Sequence, residues 1–192
     1  TRTQQSETLG ESVCVLFGIA DEERAAKVIS SMPVGEFGPP IFSPQIVSQP
    51  DYHNNGVWPY VTSFWGKAAA KVGNETALMH ALACHVRTAS IYATNYENYS
   101  FNTGNPYTTQ INSPNMLWGL SGFMGLFHRT FFGLEFTKEG LALKPFVPTV
   151  LAGTRKLEAF PYRGMKLDIT VSGSGNEIAS CLVDGKEAEA FI

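Results

Sequence analysis

The spacing of apolar positions divides the chain into a helical part and a later strand-like part. Val57, Tyr60, Val61, Phe64, Trp65, Ala68 and Val72 recur at intervals of three and four, which places them on one helical stripe. Gly73 stops this helix, and Asn74 with Glu75 offers a cap and an acidic first turn for the next. From Ala77 to Ala93 small or apolar residues lie almost all round, the pattern of an inner helix. Ser113-Pro114 predicts a further start, a capping hydroxyl followed by proline at the first helical position. Met116, Leu117, Leu120, Phe123, Met124, Phe127 and Phe131 follow at helical spacing, and Gly133 closes the run. Gly119, Gly122 and Gly125 form a smooth strip that lets another helix approach closely.

Residues from about 7 to 31 read as a helical hairpin, with Gly18 ending an apolar segment and Asp21, Glu22 and Glu23 in the next first turn. Pro33, Pro39, Pro40, Pro44 and Pro50 then force a loop. A second loop, 94 to 113, is rich in Asn, Tyr and Thr and longer than connections inside compact domains usually are, which marks it as functional. After Gly133 the period changes. Met165, Leu167, Ile169 and Val171 alternate with polar residues as in a half-buried strand, and Asp184-Gly185 is a hairpin turn. The expected architecture is therefore mostly α, with roughly five helices, followed by all-β: residues 1–132 helical and residues 133–192 an antiparallel β-domain.

Composition narrows the partners. The 192 residues are 44% hydrophobic and 16% charged with a net charge of -3, and no more than two Lys or Arg are adjacent, so nucleic acid is not an expected partner. Cys14, Cys84 and Cys181 lie too far apart for a cysteine metal site or a disulfide framework. The apolar stretch Pro114 to Phe136 contains His128, Arg129 and several glycines, so a buried helix accounts for it better than a membrane span. His53, His80, His85 and His128 form no HExxH pattern, Gly173-Ser174-Gly175 has no following Lys, and Ser121 lacks a GxSxG elbow. No metal and no cofactor is expected.

Two segments carry candidate chemistry. Asp51-Tyr52-His53-Asn54-Asn55-Gly56-Val57-Trp58-Pro59-Tyr60 packs aromatics, amides and an imidazole around a helix start. Amides hydrogen-bond hydroxyls and flat rings cover the apolar faces of sugars. The competing reading is that Asn54 or Asn55 caps the helix while Tyr52, Trp58 and Tyr60 pack in a core. The loop from Asn95 to Gly104 holds one carboxylate, Glu97, beside Tyr96, Asn98 and Tyr99, which can donate hydrogen bonds to its charged form. Asp51 and Glu36 are alternative carboxylates on loops.

Taken together, these segments resemble the C-terminal part of the six-hairpin, (α/α)6-barrel glycosidases, the superfamily of glucoamylase, trehalase, processing α-glucosidase and the glycoside phosphorylases. The resemblance rests on Tyr52 to Pro59 as a sugar-lining helix start, on Glu97 with Asn102-Thr103-Gly104 and Trp118, and on Gly140 to Pro145 with Phe160-Pro161-Tyr162-Arg163-Gly164. It implies partial (α/α)6 toroid hairpins followed by a C-terminal antiparallel β-sandwich. It also implies an inverting glycoside hydrolase, with Glu97 as general base and Tyr52, His53, Asn55, Trp58 and Trp118 binding the carbohydrate substrate. A closed barrel needs many more helices than are legible here, so the chain reads as the C-terminal portion of a longer enzyme. The general acid, the remaining N-terminal part or self-association, and a periplasmic or secreted location are further expectations from the resemblance. A glycoside phosphorylase and a non-catalytic carbohydrate-binding protein are the alternatives.

Overall fold

The computed structural model describes residues 5–192, which form two compact units, one up to Met124 and one from Gly125 to Ile192. The first unit opens with β1 (Ser6–Glu7), α1 (Thr8–Leu16) and α2 (Glu22–Ser31). The Glu7 carboxylate accepts from the amides of Leu9 and Gly10, and that of Asp21 from Arg24 N, so both helices start on side-chain caps. β2 (Phe42–Ser43) returns to pair with β1. After β3 (Gly56–Val57), Pro59 sits in the first turn of α3 (Pro59–Lys71), which needs no proline N–H there. Asn74 Oδ1 takes the Ala77 amide and begins α4 (Glu75–Tyr92). β4 (Tyr99–Ser100) follows, and α5 (Leu117–Leu126) runs through the boundary between the units. Val15, Ile29, Val61, Trp65, Ala68, Leu78 and Ala81 are buried in this unit.

α5 begins later than the proline suggests. Asn115 adopts a left-handed conformation, φ 59, and its amide and side chain bond to Thr94 Oγ1. A helix cannot pass through that residue, so Ser113-Pro114 lies in the loop and the helix starts at Leu117. At its other end the helix widens into a π-helical turn, Phe127–Phe131. Close approach of a neighbour along the glycine strip is realised against α3. A Cβ on Gly122 would stand 2.6 Å from Ser63 Oγ, and one on Gly119 3.5 Å from Pro59 Cβ.

In the second unit β5 (Leu134–Phe136) pairs with β6 (Leu141–Leu143), β7 (Gly153–Tyr162) with β8 (Met165–Gly173), and β9 (Leu182–Val183) with β10 (Lys186–Glu187). Phe132, Leu134, Leu141, Tyr162 and Ile169 form its core. The β7–β8 ladder breaks at a bulge, where Ala159 has φ 52 and its amide is held 2.7 Å from Asp168 Oδ1.

The expected fold class needs correcting. Among the described residues, helices and ten mostly short strands are interleaved, the strands forming five separate two-stranded antiparallel sheets, so the part up to residue 132 is not purely helical and no β-sandwich follows it. The alternation at 165–171 belongs to one long hairpin whose first strand is mostly exposed. The remaining strands of that unit are two or three residues long, too short to build a layer. This mixed α and β arrangement replaces the toroid-plus-sandwich expectation. No helix among the described residues is long and apolar enough to cross a membrane.

Candidate functional site

Two loops distant in sequence meet through the short pair β3 and β4, where Gly56 faces Ser100 and Val57 faces Tyr99. The loop before β3 is tightly closed. A Cβ on Gly56 would fall 1.7 Å from Tyr52 O, so only glycine lets the chain turn there, and Trp58 Nε1 donates to that same carbonyl at 3.1 Å. Asn54 fastens the loop outward, its Oδ1 accepting from Ile46 N at 2.7 Å and its Nδ2 donating to Ile46 O and Gln49 O. Asn55, in a left-handed conformation with φ 50, donates from Nδ2 to Asp51 Oδ2 at 2.9 Å. Neither asparagine caps α3; Trp58 occupies the cap position without a side-chain hydrogen bond.

The aromatic residues of this loop form a continuous array with α3 and α5. His53 stacks on Trp58 with centroids 5.0 Å apart and Tyr52 meets Trp58 edge-on at 5.2 Å. Trp58 meets Trp118 edge-on at 5.5 Å, and Trp118 lies nearly parallel to Tyr60 at 5.2 Å. Trp58 is buried, whereas Trp118 is 37% exposed and His53 is exposed. The array thus combines a fixed inner ring with outer rings that a ligand can reach. Tyr52, His53, Trp58 and Trp118 are brought together, and Asn55, in the same loop, is held by Asp51 with its Oδ1 buried and unpaired.

The carboxylates divide. Asp51 Oδ2 accepts from Asn55 Nδ2 and, at 2.9 Å, from Ser100 Oγ, so it ties the two loops together. Glu36 pairs with Arg87 at 3.7 Å and its side chain is 69% exposed, while its carbonyl accepts from Arg87 and Cys84. Glu97 is half-buried, anchored through its backbone N–H to Ser113 O at 2.9 Å. The neighbours expected to donate to its carboxylate are engaged elsewhere: Tyr96 Oη donates to Tyr107 Oη, Asn98 Nδ2 to Ile111 O, and Tyr99 Oη accepts the Tyr96 amide. β4 begins at Tyr99, which faces Val57, so Glu97 lies in the bend two residues before the pairing with the Trp58 loop.

Behind the array lies a buried polar pair that sequence reasoning missed. Ser63 Oγ donates to Pro59 O at 3.0 Å and lies 2.9 Å from His85 Nε2. With its one hydrogen committed to the carbonyl, the hydroxyl accepts from a neutral imidazole. Burial, with nearby Lys67, holds His85 down to about 4, so this ring stays neutral near pH 7. Burial likewise pushes the Cys84 thiol up to about 12, which keeps it unreactive. His85 also borders an open groove of about 320 Å³ between α4 and α5, lined by Val86, Ala89, Asn95, Leu120 and Phe123. Ser63 and His85 stand 22 residues apart on separate helices, and no local pattern couples them. Among the described residues no three His, Cys, Asp or Glu side chains gather to hold a metal ion.

No protein-family model matches this chain, and no curated protein matches it significantly.

Proposed function

We propose that this chain binds carbohydrate on the Trp58–Trp118 array and contributes Glu97 to hydrolysis of a glycosidic bond in an oligo- or polysaccharide. The observation that carries the reading is the β3–β4 pairing, which sets the Trp58 loop beside the loop of Glu97. Stacked rings with an exposed outer face complement the apolar face of a pyranose, and the adjacent polar loops offer amides and hydroxyls to its edges. Glu97 suits the role of base better than Asp51 or Glu36. Asp51 is consumed by two donors and Glu36 by an arginine, whereas the Glu97 carboxylate has no hydrogen bond or ion pair among the described residues.

In the inverting reaction Glu97 removes a proton from a water as that water attacks the anomeric carbon. A second carboxyl, about 6.5–9.5 Å away and not contributed by this chain, protonates the departing oxygen. The resemblance to glucoamylase-type and trehalase-type glycosidases supports this reading and an extracytoplasmic setting for it. Glu97→Gln keeps the shape and removes the base. In the complete enzyme, with that acid present, turnover of oligosaccharide should fall roughly 100- to 10,000-fold with affinity retained, and azide should partly restore Glu97→Ala. Trp118→Ala should instead weaken binding. Near-wild-type turnover by Glu97→Gln sinks the hydrolytic role, and unaltered affinity in Trp118→Ala sinks the platform. Full sugar binding without turnover by the complete enzyme favours the second reading, a non-catalytic carbohydrate-binding protein, consistent with the single unengaged carboxylate of this site.

A further inference from the structure

The long loop carries a second aromatic surface that the site above does not use. Tyr96 and Tyr107 meet edge to face with centroids 5.6 Å apart, and their hydroxyls are hydrogen-bonded at 3.0 Å. Tyr92 closes the group at 5.9 Å from Tyr96 and 6.2 Å from Tyr107, its own hydroxyl donating to Gly104 O at 2.9 Å. Buried Tyr99 stacks beneath on Tyr92 at 5.7 Å.

The outer ring is exposed yet held. Tyr107 is 72% exposed, but its amide donates to Asn105 Oδ1 at 2.8 Å. Asn112 Nδ2 donates to both Pro106 O at 2.8 Å and Asn98 O at 2.7 Å, fastening the turn that carries Tyr107 to the residue after Glu97. A solitary exposed tyrosine needs no explanation. A ring fixed in advance yet largely exposed, with hydroxyls and amides of Thr103, Asn105 and Thr108 close by in the loop, is a binding surface whose ordering cost has already been met by folding.

Position supplies the rest. Along the loop, Tyr96 precedes Glu97, and Tyr99, two residues after Glu97, faces Val57, the residue before Trp58. Glu97 therefore lies, along the chain, between the Tyr96 surface and the strand that pairs with the Trp58 loop.

We propose that Tyr96 and Tyr107 form a second sugar-stacking subsite on the loop of Glu97, so that the ligand is an oligosaccharide that reaches beyond the Trp58–Trp118 array onto this surface. This rests on the reading of the Trp58–Trp118 array as a carbohydrate platform. Tyr107 then sets preference for chain length, and Tyr96 holds its ring in place.

The test is calorimetric titration of the 192-residue chain with glucose and with α-1,4- and β-1,4-linked glucose, mannose and xylose oligomers from disaccharide to hexasaccharide. Affinity for the accepted series should rise beyond the disaccharide. Tyr107→Ala should lower affinity for the longer oligomers roughly tenfold, to the disaccharide value, while leaving the disaccharide unchanged, and Tyr107→Trp should keep the length dependence. Tyr96→Phe removes only the hydroxyl contact and should give a smaller loss, again confined to long oligomers. Length dependence unchanged in both Tyr107→Ala and Tyr96→Phe overturns the subsite. If Trp118→Ala abolishes binding in that case, the first platform stands without the second. If the wild-type chain binds no oligomer in the panel, both readings fall.

Discussion

Asp51 accepts a 2.9 Å hydrogen bond from Ser100 although 49 residues separate them. The same carboxylate oxygen holds Asn55, and the Asp51 carbonyl accepts the Gln110 amide at 2.7 Å, so one residue fastens three stretches of irregular chain. Hydrogen bonds to a charged group contribute more than neutral ones, and removing the acceptor strands two donors. Asp51→Ala should therefore lower stability by about 1–3 kcal/mol. Urea unfolding measures this. A loss below about 0.5 kcal/mol, the range of ordinary surface changes, would remove Asp51 from the role of clamp. Ser100→Ala should fall in the same direction by less, and the double variant should cost less than the sum because both break one contact.

His85 makes stability depend on pH. In the unfolded chain the imidazole protonates near 6.5, whereas in the folded chain burial and Lys67 hold it neutral down to about 4. Between those values the unfolded state binds more protons, so stability rises with pH there. The ring contributes no pH dependence above about 6.5, and roughly 3 kcal/mol is lost as pH falls from 6.5 to 4. Denaturation at a series of pH values should show a slope in this window that is flatter in His85→Gln. Parallel slopes for the two proteins would contradict a neutral buried imidazole.

The strip on α5 separates two superficially equal glycines. Gly122→Ala drives a Cβ to 2.6 Å from Ser63 Oγ and 3.0 Å from Ser63 Cβ, in contact with a residue already committed to His85. It should cost about 1–3 kcal/mol. Gly119→Ala meets only Pro59 Cβ, at 3.5 Å, an ordinary contact, and it gains helix propensity. It should be neutral or stabilising by up to about 1 kcal/mol. Thermal unfolding of the pair checks the contrast, and equal effects would mean that α5 does not pack on α3 in this way.

The legible and illegible parts of this molecule differ in how far apart the deciding residues lie. The stripe from Val57 to Val72, the stop at Gly73 and the cap at Asn74 are local, and α3 and α4 end and begin there. The Asp184-Gly185 turn is local too, with φ 50 and φ 76 between β9 and β10. Ser113-Pro114 had the right chemistry for a helix start, but Thr94, far upstream, holds Asn115 out of the helix. β1 to β4 are two residues long, too short to show any period. At the site, residue type alone pointed to Tyr52, His53, Trp58 and Trp118. The engagement of Asp51 and Glu36 depends on Ser100 and Arg87, partners that no local spacing reveals.

α5 leaves large apolar side chains uncovered in its first unit: Leu117 at 75%, Leu120 at 40% and Met124 at 45% exposed. Contiguous exposed apolar surface favours association. Sedimentation velocity should show the chain associating as concentration rises, and Leu117→Lys combined with Leu120→Lys should suppress this without unfolding it. Identical concentration dependence in the double variant would place the sticky surface elsewhere.

The edge-on contact of Trp58 with Trp118 also makes the molecule its own optical instrument. All three tryptophans, Trp58, Trp65 and Trp118, belong to the unit ending at Met124. The unit that begins at Gly125 carries no indole of its own, its aromatic residues besides His128 being tyrosine and phenylalanine. Two of the three indoles are shielded, and Trp118, at 37% exposed, is the one that an aqueous quencher reaches. A sugar settling on the array would shield Trp118 from iodide while leaving Trp65 untouched, so occupancy can be followed without a label.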